Sequence, residues 1–118
     1  MSPREIAEKI VKALDEKKGM DICMIATTQV TVVADYFIIV NGTSNTHVKA
    51  LADEVEDALT KEGVNATHVE GKATGWILLD YDSVVVHVFT KEAREYYNLE
   101  KLCADGEMID ISSLVTAD

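Results

Sequence analysis

Gly42-Thr43-Ser44 leads from an apolar run into a helical pattern, and such a loop can hold a phosphate on the amides of a helix N-terminus. It has neither G-x-G-x-x-G nor G-x-x-x-x-G-K-S/T, and the one nearby lysine, Lys49, falls inside the helix. We read it as a glycine turn followed by a serine cap. Asp80-x-Asp82 has the spacing to share a divalent metal for nucleotidyl transfer. That chemistry asks for a third acid and a phosphate-holding loop in range. An aspartate in a tight turn simply bonds local backbone amides, which is the simpler account. A nucleotide-binding or nucleotidyltransferase-like enzyme using Gly42, Ser44, Asp80 and Asp82 stands as the alternative reading.

His47, His68 and His87 are twenty-one and nineteen residues apart, and no cysteine lies near any of them, so spacing supports no zinc site. His87 interrupts Val84-Val85-Val86-His87-Val88-Phe89 and shares a strand face with Val85 and Phe89, the place of a satisfied, partly buried histidine. Ser44 has no G-x-S-x-G context, and neither Cys23 nor Cys103 has a nearby base. The residues therefore assemble no catalytic constellation and imply no metal and no cofactor. They point to an α/β binding domain.

The elements that must position these residues follow from pattern. Ser2-Pro3-Arg4-Glu5 reads as a capping box, and Ile6, Ala7, Ile10, Val11 and Leu14 recur at helical spacing until Gly19 ends the helix. From Asp21 to Asn41 the period becomes that of strands, roughly 22–27 and 36–41, with irregular chain around Thr28 to Asp35. The unbroken run Tyr36-Phe37-Ile38-Ile39-Val40 predicts a central strand covered on both faces. Ser44 caps a second helix with Val48, Leu51, Ala52, Val55, Ala58 and Leu59 inward, acids Asp53, Glu54, Glu56 and Asp57 on a solvated face, and Gly63 at its end. Strands are predicted at Val64–Val69, Trp76–Asp80 and Val84–Phe89, the last two joined through Tyr81-Asp82-Ser83 as a hairpin. A third helix starts near Thr90 and carries Ala93, Tyr96, Tyr97, Leu99 and Leu102. The tail holds a short apolar patch, MIDISSLV, and is otherwise weakly specified. The order predicts an α/β (α+β) fold, a mixed five-stranded sheet flanked by helices. It forms one domain over 1–118, with a core of about 1–103 and a C-terminal tail of 104–118.

The chain has 118 residues, 47% of them hydrophobic and 27% charged, enough for one ordinary core. Twenty-one acids against eleven bases give a formal net charge of -10. That charge repels bare nucleic-acid backbone, so little direct nucleic-acid binding is expected, and it suits a basic protein partner. The two cysteines form no disulfide scaffold, and the start of the chain is not patterned as a signal peptide. No apolar run approaches the roughly 20 residues needed to span a bilayer. These features predict a cytoplasmic protein, or one of an organelle matrix, with no membrane partner.

Three stretches together resemble the Iojap-like, or ribosomal silencing factor, family. The first is Ala34-Asp35-Tyr36-Phe37-Ile38-Ile39 with Gly42-Thr43-Ser44, His47-Val48 and Ala52-Asp53. The second is Glu70-Gly71, Gly75-Trp76-Ile77-Leu78-Leu79-Asp80-Tyr81 and Val84-Val85-Val86-His87-Val88-Phe89. The third is Arg94-Glu95-Tyr96-Tyr97-Asn98-Leu99-Glu100. The chain departs from the family pattern at Cys103, where an aromatic is usual, at the turn Asp82-Ser83, and near Asn45-Thr46.

The resemblance implies a fold similar to nucleotidyltransferases without their paired catalytic acids, and a protein that is not an enzyme. It implies binding to the large ribosomal subunit through that subunit's ribosomal protein fourteen, on the face that meets the small subunit. Subunit joining would be blocked sterically and translation repressed under nutrient limitation; a role in large-subunit assembly is also implied, and homodimers form when such proteins are free. Interface anchors favour Trp, Tyr and Arg with charges at the rim. The partner-binding set expected here is therefore Glu70, Lys72, Trp76, Asp80, Tyr81, Tyr96 and Tyr97, on a face built by the last strands and the third helix. The run Tyr36 to Val40 and the apolar tail are the segments expected to support self-association.

Overall fold

The computed structural model describes residues 2–26, 35–71, 75–97 and 107–115. Its first helix, α1 (Pro3–Glu16), begins with the expected capping box: the Glu5 amide donates to Ser2 Oγ at 3.2 Å and the Ser2 amide donates to Glu5 Oε1 at 3.0 Å. Its exit differs from expectation. Lys18, not Gly19, takes the left-handed conformation (φ 61), with Lys18 N–H on the Asp15 carbonyl and Gly19 N–H on the Leu14 carbonyl. Gly19 is demanded by space instead, because a Cβ there would lie 2.7 Å from Val40 Cγ2 and 3.1 Å from the Leu14 carbonyl.

Among the described residues six strands follow: β1 (Met20–Ala26), β2 (Tyr36–Gly42), β3 (His68–Glu70), β4 (Trp76–Asp80), β5 (Val84–Thr90) and β6 (Glu107–Ile109). They form one sheet in the order β3-β4-β5-β2-β1-β6, with β2 and β5 parallel and every other pair antiparallel. The five predicted strands are present, and the tail corrects the count by adding a sixth. Its segment pairs along the outer edge of β1, Ile25 opposite Met108, satisfying backbone groups that an edge strand leaves open. β2 is central as predicted, with Ile38, Ile39 and Val40 fully buried.

The third strand is shorter than predicted. Helix α2 (Asn45–Thr60) ends through Gly63 at φ 78, and the Val64 amide closes it by donating to the Leu59 carbonyl at 2.9 Å. Val64 therefore belongs to the helix exit, and pairing starts only at His68. The expected cap is present, with Ser44 Oγ accepting from the His47 amide at 3.1 Å. Helix α3 (Lys91–Tyr97) is capped by Thr90, whose Oγ1 accepts from the Ala93 amide at 3.2 Å. Leu99, Leu102 and the irregular segment expected from Thr28 lie outside the described residues, apart from Asp35. No described helix is long and apolar enough to cross a membrane.

Both long helices lie on one side of the sheet. Ile10, Leu14, Leu51, Val55 and Leu59 pack there with Met24, Ile38, Val40, Ile77, Leu79, Val86 and Val88. Alternation sends the intervening residues to the other side, where a smaller cluster forms from Cys23, Ile25, Ile39 and Phe89, with Trp76 and Ala93 against it. At the helix–sheet contact, Gly19→Ala should lower unfolding free energy by about 1–3 kcal/mol through overpacking against Val40. Lys18→Gly, which relieves the left-handed residue, should be neutral or raise it by up to about 1 kcal/mol. Urea denaturation of the two variants checks the contrast.

Candidate functional site

The side of the sheet away from α1 and α2 gathers most of the residues singled out from sequence. Register defines it in rows. Glu70 pairs with Leu78, Leu78 with His87, and His87 with Ile39. Beside that row, His68 pairs with Asp80 and Asp80 with Val85, and on its other side Trp76 pairs with Phe89. β4 thus sends Trp76, Leu78 and Asp80 to this face while Ile77 and Leu79 enter the helix-covered core at 2% and 0% exposure.

Trp76 is partly buried and anchored by Phe89 and His87. Its indole stacks on Phe89 with centroids 5.2 Å apart and planes at 29°, and its N–H donates to His87 Nδ1 at 3.3 Å. Phe37 meets His87 edge-on at 5.3 Å. The remaining side of Trp76, with Leu78, Glu70 and Gly71, lines a groove of about 450 Å³ open toward the β3 edge. Glu70 is exposed at the rim and bonds His68 Nε2 at 2.6 Å. That bond and the nearby Glu70 charge, with a smaller effect from Asp80, raise the His68 pKa above its ordinary value.

The other expected contacts divide. Asp80 is a turn residue, as its spacing suggested. Its Oδ1 accepts from the Asp82 amide at 2.8 Å, and Asp82 sits at φ 71, a conformation aspartate tolerates. Tyr81 does not belong to the surface. It is 5% exposed and packs into the helix-side core, because the residue after Asp80 alternates inward. Burial, and to a smaller extent Glu56, pushes its phenol up to about 12, and its hydroxyl has no hydrogen-bond partner among the described residues. Tyr96 and Tyr97 end α3, but their side chains, like Lys72 and Cys103, lie outside the described residues.

Two features were missed from sequence. Leu78 floors the groove, signalled only by its alternation with Ile77 and Leu79. Arg94 ties α3 to the sheet by donating from Nη1 to Asn41 Oδ1 at 2.6 Å and to the Asp21 carbonyl at 2.7 Å. The signal available was Asn41, a polar residue ending an apolar run, now 2% exposed.

The Gly42-Thr43-Ser44 loop is filled by the chain itself. The Thr43 amide donates to His47 Nδ1 at 2.9 Å, which leaves the proton on Nε2, and Nε2 donates to the Lys17 carbonyl at 2.7 Å. His47 thereby links this loop to the end of α1. No group of three or more His, Cys, Asp or Glu residues placed to hold a metal occurs among the described residues. What the face offers is aromatic and apolar area with an acidic rim, a surface for binding.

Two measurements check this geometry. Tyr81→Phe removes a buried hydroxyl that has no partner among the described residues, so stability should hold or rise by about 1 kcal/mol by urea denaturation. His87 is 7% exposed, and burial lowers its pKa from 6.5 to about 4. Above pH 6.5 the ring is neutral folded or unfolded and contributes nothing. As pH falls from 6.5 toward 4 the unfolded chain takes up the proton first, so stability is lost through that window. The loss saturates at about 3 kcal/mol. Subtracting the pH profile of His87→Gln, which keeps all carboxylates, should isolate it.

The model of the family described as "Ribosomal silencing factor during starvation" matches residues 1–118. The ribosomal silencing factor RsfS of Bacillus subtilis is 38% identical over 112 residues, 94% of this chain and 95% of that protein. The mouse protein named "Mitochondrial assembly of ribosomal large subunit protein 1" is 33% identical over 99 residues, 80% of this chain and 43% of that protein. A crystal structure of a protein from Chromobacterium violaceum superposes with a TM-score of 0.84 at 38% identity, covering 86% of each chain. The matched family is one of ribosome-associated regulatory factors and not of enzymes, and this chain belongs to the ribosomal silencing factor (RsfS) family.

Proposed function

We propose that this chain docks on the large ribosomal subunit through ribosomal protein fourteen of that subunit, and that its bulk there blocks joining of the small subunit. Translation falls as a result, in the cytoplasm and under nutrient limitation. The observation that carries the reading is Trp76, one side packed on Phe89 and the other lining the groove with Leu78 and Glu70. A large aromatic held rigid beside an open apolar floor is the form of an interface anchor. The exposed Glu70 and the net charge of -10 complement a basic partner and favour a salt-dependent encounter.

The docking set supported by this placement is Trp76, Leu78 and Glu70, with Asp80 at the rim. Lys72, Tyr96 and Tyr97 remain part of the proposal by their place next to these elements in sequence. The mouse relative's name supports a part in assembling large subunits as well. A homodimer of the free protein, if built on the same groove, would compete with the ribosomal partner. The nucleotidyltransferase-like frame implied by the family resemblance contributes nothing to this mechanism, because steric exclusion needs a complementary surface and no chemistry.

Trp76→Ala should abolish co-sedimentation with isolated large subunits while circular dichroism stays native. Because that truncation also strips packing from Phe89, Glu70→Lys serves as a second variant that touches only the exposed rim. It should weaken binding by about tenfold. Undiminished co-sedimentation of both variants would overturn the docking assignment.

A further inference from the structure

His87 lies beneath the groove, and its contacts exceed what a core residue needs. It is nearly buried between Phe37 and Phe89, its ring parallel to Phe89 within 7° at 6.1 Å, and Leu78 is its cross-strand partner. Its Nδ1 accepts the indole N–H of Trp76, which places its own proton on Nε2. That Nε2–H is buried and has no hydrogen-bond partner among the described residues. A leucine here would avoid the cost of an unsatisfied donor, so the acceptor at Nδ1 is the feature the imidazole supplies.

We propose that His87 is the positioning residue of the docking surface: it fixes the angle at which Trp76 presents its indole to the partner, and protonation of the imidazole releases it. This rests on the docking reading above. A second proton on the ring can only go to Nδ1. Two N–H donors would then face each other across 3.3 Å, turning an attraction into a repulsion. Charged neighbours do not compensate. Among the described residues, by register and contact, the titratable or charged side chains on this side of the sheet are Cys23 on β1, His68 and Glu70 on β3, Asp80 on β4 and Arg94 on α3. Lys91, Glu92 and Glu95 of α3 are exposed, and α1 and α2 cover the opposite face. Burial alone accounts for the low basicity of His87, which keeps the ring neutral and the indole held at neutral pH.

Trp76 is the sole tryptophan, so its indole N–H gives one signal in a proton–nitrogen correlation spectrum of the full chain. In the wild type that signal should shift with a midpoint near pH 4 while the circular dichroism recorded alongside stays native. His87→Gln keeps an acceptor that does not titrate; its indole signal should stay constant with pH, and large-subunit binding at pH 7 should stay near wild type. His87→Phe keeps the stacking and removes the acceptor; it should displace the indole signal at every pH and weaken binding by about tenfold. An indole signal indifferent to pH in the wild type and unmoved in His87→Phe overturns the proposal, and this arm needs no ribosomes. If the indole responds but His87→Phe binds as wild type, Trp76→Ala separates the causes. Binding lost in Trp76→Ala then overturns the positioning role alone, and binding kept overturns the docking reading and this inference with it.

Discussion

The register of β5 between β2 and β4 is the constraint on which the rest of the molecule depends. β5 is buried on both faces, with Val84, Val86 and Val88 toward the helices and Val85, His87 and Phe89 toward the aromatic side. Its parallel pairing with β2 runs unbroken from Tyr36 opposite Val84 to Gly42 opposite Thr90. A slip of one residue would drive His87 into the aliphatic core and expel valines on the other side. The charge-free faces of β2 and β5 make that slip costly in both directions, so the platform under Trp76 is held by the most buried part of the sheet.

The two sides of that platform are finished differently. On one, α1 and α2 cover the sheet with aliphatic side chains, and Lys9 reaches Glu62 at 3.0 Å across the helix pair. On the other, aromatic rings, an imidazole and an amide join a small cluster built on Ile25 and Ile39, and the β3–β4 edge stays partly open. Rings stacked at about 5 Å keep a partly exposed tryptophan in one orientation, which lowers the ordering cost of binding. The short α3 is brought to this side by Arg94, whose guanidinium bonds the buried Asn41 at the end of β2.

The groups that could have supported chemistry are used by the fold. His47 occupies the Gly42-Thr43-Ser44 loop, joining it to the end of α1. Asp80 spends its carboxylate on the amide of Asp82. Each of these was legible as structural from spacing, since a cap and a turn are local features that need only three or four residues. The start of the third strand and the pairing of the tail were not legible in the same way. Val64 looks like strand but closes a helix, and the tail looks unspecified until the edge of β1 gives it something to pair with.

By itself the sequence determined the local elements: the box at Ser2 and Glu5, the cap at Ser44, the hairpin at Asp82 and the alternation that divides Trp76 from Ile77. Each rests on interactions within a few residues along the chain. It also carried, in motif order, the family to which the chain belongs. Tertiary structure alone decided which neighbours those residues meet. Tyr81 and Trp76 are both aromatic and five residues apart, yet one is sealed in the helix-side core and the other lines the groove. Their fates follow from strand alternation combined with which face the helices cover. Likewise only cross-strand register could bring the Trp76 indole to His87, eleven residues away along the chain and 3.3 Å away in space.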